Sequence, residues 1–305
     1  MKKTCYLVLF FAFLTACAGT STTPATATRL VDPPTATPTI PPTPTVTIVP
    51  SSTPEPRLSQ ERWQEWPVVP TTVSARTLEI YRLGQELGNN PQVFSKIGDG
   101  EISTAWFFVS YDLGPAYYDL GAYADLKSVV DYFSGSFGRS SMAARRGFNT
   151  LMILDPASAS RQDCSANESP LDCELRLNRP SFAFISLGTN QVWAPEDFET
   201  GLRLIVERLL EKGVVPILST KADNLEGDQR INQIIANLAA EYDVPLWNFW
   251  LAVQPLPNHG LQSDLEHLTY YGESYNFAGN LQAAWPWRNL TALQVLDVVW
   301  RGVTG

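Results

Sequence analysis

Two apolar patterns alternate along the last two thirds of this chain. Short runs with little polar interruption, at 92–97, 181–187, 214–218 and 244–249, read as strands, and Leu151-Met152-Ile153-Leu154 has the same look. The run 181–187 is apolar almost throughout, as in a strand buried on both faces. Between these runs apolar residues recur every three or four positions. Leu78, Tyr81, Leu83 and Leu87 predict a helix from Ser74 that stops at Gly88. Leu120, Ala124, Val129, Val130 and Phe133 predict another across 119–133. Phe198, Leu202, Ile205, Leu209 and Leu210 predict a third across 195–212, ended by Gly213. Further helices are expected over 228–242 and from Asn289, as N-cap, to Trp300. Strands alternating with helices predict an α/β fold whose parallel sheet is covered on both faces. Pro216 inside a strand suggests an edge position or an irregular start.

The first residues have the pattern of an export signal: Lys2 and Lys3, then an apolar stretch over 6–14 too short to span a bilayer. It closes on Leu14-Thr15-Ala16-Cys17, which resembles a bacterial lipobox. That resemblance implies a cut before Cys17, acylation of its thiol and stable anchoring by two or three chains. Ordinary secretion, with a cut near Ala16 to Ala18, is the alternative. The organisation expected is a signal peptide over 1–16, a lipidated Thr/Pro-rich stalk over 17–57 and one domain over 58–305. The domain would lie outside the cell, tethered to the membrane through Cys17.

The chain carries 22 basic and 31 acidic residues, a net −9. Removing Lys2 and Lys3 leaves 20 against 31, or −11. This argues against nucleic acid or an anionic bilayer surface as partner and leaves neutral substrates open. Cys164 and Cys173 flank a polar stretch, and in an exported protein a local disulfide is favoured over free thiols. Neither histidine is near them in sequence, so no metal site is expected there, and no cofactor motif is present.

Gly98-Asp99-Gly100 and Gly188-Thr189-Asn190 follow two of the expected strands. Ligands of open parallel sheets bind beyond the carboxyl ends of strands, so two polar, glycine-bearing turns there mark a rim. Singly, each is an ordinary tight turn or helix cap. Asp264 and His267 are spaced i, i+3, which on one helical turn lets a carboxylate hold imidazole Nδ1–H and leaves Nε2 outward. Alone, such a pair is usually a solvated surface contact. His259, in Pro257-Asn258-His259-Gly260, reads as a structural turn residue.

In order and residue type, these blocks resemble the SGNH (GDSL) hydrolases over roughly 92–300. The resemblance implies a three-layer α/β/α sandwich of flavodoxin-like type and ester hydrolysis, with acylated carbohydrate a possible substrate class. By position, His267 and Asp264 take the catalytic base and its orienting acid, and Asn190 the oxyanion amide. Gly147, in Ala143-Ala144-Arg145-Arg146-Gly147-Phe148, matches the second oxyanion block. Gln191 stands where the family often has aspartate. The nucleophilic serine is absent: Gly100 occupies its position, and only its N–H remains to serve the oxyanion hole. The implied protein is therefore a weak or inactive esterase, or a non-catalytic receptor for a small-molecule or carbohydrate ester. Ser103 would need a different turn to face His267. Trp106, Phe107, Phe108, Trp285 and Trp287 read first as core residues and second as the lining of a sugar-stacking cleft.

Overall fold

The computed structural model describes residues 59–270 and 275–305. The expected leader and stalk, with Cys17, lie outside the described residues. The described chain opens on a 3₁₀ turn, Gln60–Glu65, whose Trp63 is buried edge-on against Trp250. Helix α1 (Ala75–Glu86) is capped by Ser74, whose Oγ accepts from Thr77 N at 3.0 Å. Strand β1 (Asn90–Gly98) is followed by the short helices α2 (Gly100–Ser103), α3 (Ser110–Leu113), α4 (Lys127–Tyr132) and α5 (Thr150–Leu154), then α6 (Pro170–Asn178). From there β2 (Pro180–Ser186), α7 (Pro195–Glu211), β3 (Val215–Ser219), α8 (Arg230–Glu241) and β4 (Leu246–Trp247) alternate regularly. Helices α9 (Phe249–Val253) and α10 (Ala284–Thr304) complete the domain.

The four strands form one parallel sheet in the order β1-β2-β3-β4. Alternation along β2 assigns the two faces. Phe182 stacks on Tyr81 of α1 and meets Phe133 after α4, and Phe184 meets Phe107 and Trp247. Ser186, in phase with them, bonds to Arg288 of α10. Ile185 points to the opposite side, beside Phe198 and Leu202 of α7 and Ile235 of α8. The fold is thus a three-layer α/β/α sandwich, and β2, wholly buried, runs through its centre.

Three local expectations are corrected. Leu151–Leu154 belongs to α5, not to a strand; Asn149 caps it by accepting from Met152 N at 2.9 Å. The stretch 119–133 is a 3₁₀ segment, Gly121–Leu126, kinked at Tyr123, followed by α4. Helix α10 begins at Ala284, so Asn289 is interior; its buried side chain accepts from Phe108 N and donates to Trp106 O, both at 3.0 Å. Pro216 sits in an internal strand, yet β4 pairs only with Leu218 and Ser219, so no second neighbour is there to need its missing N–H. Cys164 and Cys173 form a disulfide, with Cys173 buried inside the first turns of α6.

Candidate active site

The carboxyl end of β1 is shaped by Gly98. Its φ is +153°, and a Cβ there would lie 2.0 Å from Ser186 O, so only glycine lets this turn sit against the end of β2. Asp99 caps α2, its side chain accepting from Glu101 N at 3.2 Å. It is buried, and desolvation, reinforced by the neighbouring Glu101 charge, pushes its pKa up to about 7. Gly100 opens α2 under no such constraint. Its φ is not positive, and the nearest atom to a Cβ would be Arg146 Cγ at 3.8 Å. Ser103 ends the helix exposed, its Oγ turned back toward Gly100 O at 3.5 Å.

Hydrogen bonds draw the other glycine-bearing loops to this turn. Gly98 N donates to Ala143 O at 3.0 Å and Arg145 N to Gly98 O at 3.1 Å, laying the segment before Gly147 along the end of β1. Buried Glu174 of α6 supports that segment by accepting from Arg139 Nη1 and Met142 N. Gly147 is exposed with φ +83°. The next residue, Phe148, offers its carbonyl to Asn190 Nδ2 at 3.2 Å, which joins the 147 and 190 loops. Thr189 Oγ1 donates to Asp223 Oδ2 at 2.7 Å; Asp223 in turn is held by buried Lys221, which also bonds Glu226. Gln191 is buried, its Oε1 accepting from Thr150 N and Oγ1, so it ties this loop to α5.

Asp264 and His267 meet, though not on a helical turn. Leu265 has φ +60°, and the segment is a tight turn organised by Asp264. Asp264 Oδ1 accepts from the backbone N–H of Glu266 (3.1 Å) and His267 (3.0 Å), while Oδ2 lies 2.8 Å from His267 Nδ1. These bonds, the His267 N–H first, lower the carboxyl pKa to about 2. The same Asp264 side chain raises the His267 pKa, and the Glu266 and Glu101 carboxylates add to it. Trp106, just after α2, meets Tyr270 and Trp285 edge-on at 5.0 and 5.9 Å, which docks the histidine loop onto the first block.

Glu101 and Arg288 escaped the sequence reading. Arg288 is wholly buried in α10, its guanidinium over the rings of Phe107, Trp247 and Phe249. Its Nη2 donates to Ser186 Oγ at 2.7 Å, while Nη1 lies 3.4 Å from Glu101 Oε2. Nothing in a local motif announces this pair, since 187 residues of sequence separate its members; an arginine amid apolar helix positions was the one available signal. Phe107 and Phe108 are core residues, as read first, and Trp285 is nearly so. Trp106 and Tyr270 stay exposed, and so does Trp193, at 84%, three residues past Asn190. Cys164, Glu168 and Cys173 approach one another closely enough to hold a metal, but the sulfurs are bonded to each other.

No protein-family model matches the chain, and no curated protein does. Among solved structures it is similar to TesA, at 18% identity over 68% of this chain and 99% of that one, with a TM-score of 0.41. A GDSL-like lipase from Bacteroides thetaiotaomicron is 13% identical over 72% of this chain and 98% of that one, TM-score 0.40. An acetylxylan esterase from Geobacillus stearothermophilus is 15% identical over 70% and 96%, TM-score 0.41. The solved structures to which this chain is similar include lipolytic proteins of the GDSL family and acetylxylan esterases.

Proposed function

We propose that this domain binds carboxylic esters and hydrolyses them slowly, by activating water rather than through an acyl-enzyme. The observation that carries this reading is the Asp264–His267 pair, joined at 2.8 Å, with Nε2 left for proton transfer and the Glu101 carboxylate of α2 acting on the imidazole. The N–H of Gly100 is in the first turn of α2 and has no intrahelical acceptor, so with Gly147 N–H and the Asn190 amide it forms a donor set for a carbonyl oxygen. Without a serine hydroxyl no acyl-enzyme forms at Gly100. A serine-hydrolase site lacking a triad member keeps roughly 10³–10⁴-fold acceleration over water, and that sets the scale of turnover. Trp193, Trp106 and Tyr270, exposed around the rim, suit stacking on a sugar ring, which favours acylated carbohydrate as substrate.

The absent hydroxyl favours a second reading, an ester or carbohydrate receptor without turnover, held outside the cell by a lipid on Cys17. Hydrolysis of ethyl acetate, an ester whose alkoxide needs a proton to leave, by the purified protein decides between the two. The first reading expects a rate above buffer that His267→Ala abolishes; a wild-type rate equal to that of His267→Ala leaves only binding.

A further inference from the structure

The missing nucleophile leaves open which group delivers water to the ester. We infer that Glu101, the residue after the vacant serine position, is the base that activates this water, and that His267 is the acid that protonates the leaving alcohol. The inference rests on the hydrolytic reading above.

Glu101 sits in the first turn of α2, next to Gly100 N–H, where a substrate carbonyl would be held. Its side chain is 22% exposed. The charged groups that act on it come from four parts of the fold. Arg288 reaches it from α10, Lys221 and Asp223 from the segment after β3, His267 from the turn before α10, and Asp99 from its own turn. Arg288 pairs with it at 3.4 Å, but without hydrogen-bond geometry: among the described residues, both Nη1 and Nε of this buried guanidinium lack a hydrogen-bond partner. The Glu101 carboxylate is partly exposed, so a water can reach it.

The protonation states agree with this division of labour. Burial raises the Glu101 carboxyl above its ordinary range, which makes it a stronger base, while the cations around it keep the carboxylate accessible. His267 is raised by Asp264, and the Glu266 and Glu101 carboxylates add to it, which favours its proton-donating form.

The step balances without a covalent intermediate. Glu101 takes a proton from water as the water oxygen bonds to the ester carbonyl carbon, and the carbonyl oxygen becomes the oxyanion. The carbon–oxygen bond to the alcohol then breaks, and His267 Nε2–H protonates the departing oxygen. Loss of the Glu101 proton and uptake of one by His267 restore the site, leaving acid and alcohol.

The test is a pH–rate profile of ethyl acetate hydrolysis, whose alkoxide needs a proton to leave, for the full-length protein, with fluorophosphonate labelling beside it. Wild type should show a bell: an acid limb from Glu101 and an alkaline limb from His267, and no fluorophosphonate adduct. Glu101→Gln should lose about 100-fold or more in kcat with little change in KM, and its acid limb should vanish. Glu101→Asp, which keeps a charge for Arg288, should fold and be slow. Glu101→Ala should recover part of its rate in formate, a response that a merely structural carboxylate would not give. A folded Glu101→Gln within about threefold of wild type, with its acid limb intact, overturns the assignment, as does fluorophosphonate labelling of wild type. Loss of activity in His267→Ala but not in Glu101→Gln rejects Glu101 while sparing the hydrolytic reading; no hydrolysis by wild type rejects both.

Discussion

Serine at position 100 is a substitution for which the structure leaves room. A Cβ there meets only Arg146 Cγ, at 3.8 Å, and the backbone is outside the left-handed region. Replacing glycine at a compatible helical position narrows the unfolded ensemble and improves helix propensity, by about 0.5 kcal/mol for serine. For a domain of this size that is a rise of roughly 1–2 °C in Tm. The hydroxyl would stand beside the Gly100 N–H, on the helix that Trp106 docks against the histidine loop. Removing the serine from an optimised triad costs about 10⁶ in kcat. Adding one to an unrefined site should recover a small part, and a gain of at least about 100-fold is expected from Gly100→Ser. The assay is p-nitrophenyl acetate hydrolysis with fluorophosphonate labelling, alone and with His267→Ala. Labelling and the rate gain should appear together, and both should fail in the double variant. A fall in Tm of several degrees would refute the packing argument. A well-folded Gly100→Ser that neither labels nor accelerates would refute the placement of Gly100 at the nucleophile position of His267.

Three further outcomes are expected. Asp99 has a folded pKa of about 7 against about 3.9 unfolded, so its charge destabilises the fold increasingly as pH rises between those values. Asp99→Asn keeps the cap acceptor and should be more stable than wild type at pH 8, by up to about 4 kcal/mol, with the gap closing near pH 4; equal urea midpoints at both pH values would refute this. The Cys164–Cys173 bridge closes a loop with a separation of 9, worth about 2–3 kcal/mol, so reduction should lower the urea midpoint, and an unchanged midpoint counts against that contribution. Replacing Cys17 by Ser should move the protein out of the membrane fraction or block processing; an unaltered distribution and unaltered lipid labelling would dismiss the lipobox.

What could be read from the sequence follows from the range of the forces involved. The strand 181–187 and helices 195–212 and 228–242 show their burial in local periodicity, and the structure places elements there. Leu151–Leu154 failed because four apolar residues look alike in a strand and in one turn of helix. Asn289 was mistaken for a cap because its type suits that role; its partners, Phe108 N and Trp106 O, are visible only once α10 packs beside the first block. The Asp264–His267 spacing was legible, but the turn that joins the pair depends on a positive φ at Leu265, which a leucine does not advertise. Glu101 and Arg288 are brought together by the sandwich itself, and no window along the chain contains both.

The sheet also dictates an order of assembly. Strands β2, β3 and β4 are linked by single-helix crossovers, whereas β1 pairs with β2 only after the chain has passed through residues 99–179. Closing so long a loop carries the larger entropy cost, so the β1–β2 seam should be the late event of folding. That seam joins Gly98 to Ser186 and so unites the Gly98 and Gly188 turns. The reacting end of the molecule would then be the last to acquire its native shape, and a nascent chain would present no competent site until its topology was complete. Pulse-labelled hydrogen exchange should find the amides of 215 and 217–219 protected before those of 94–98, and the reverse order would contradict this sequence of events.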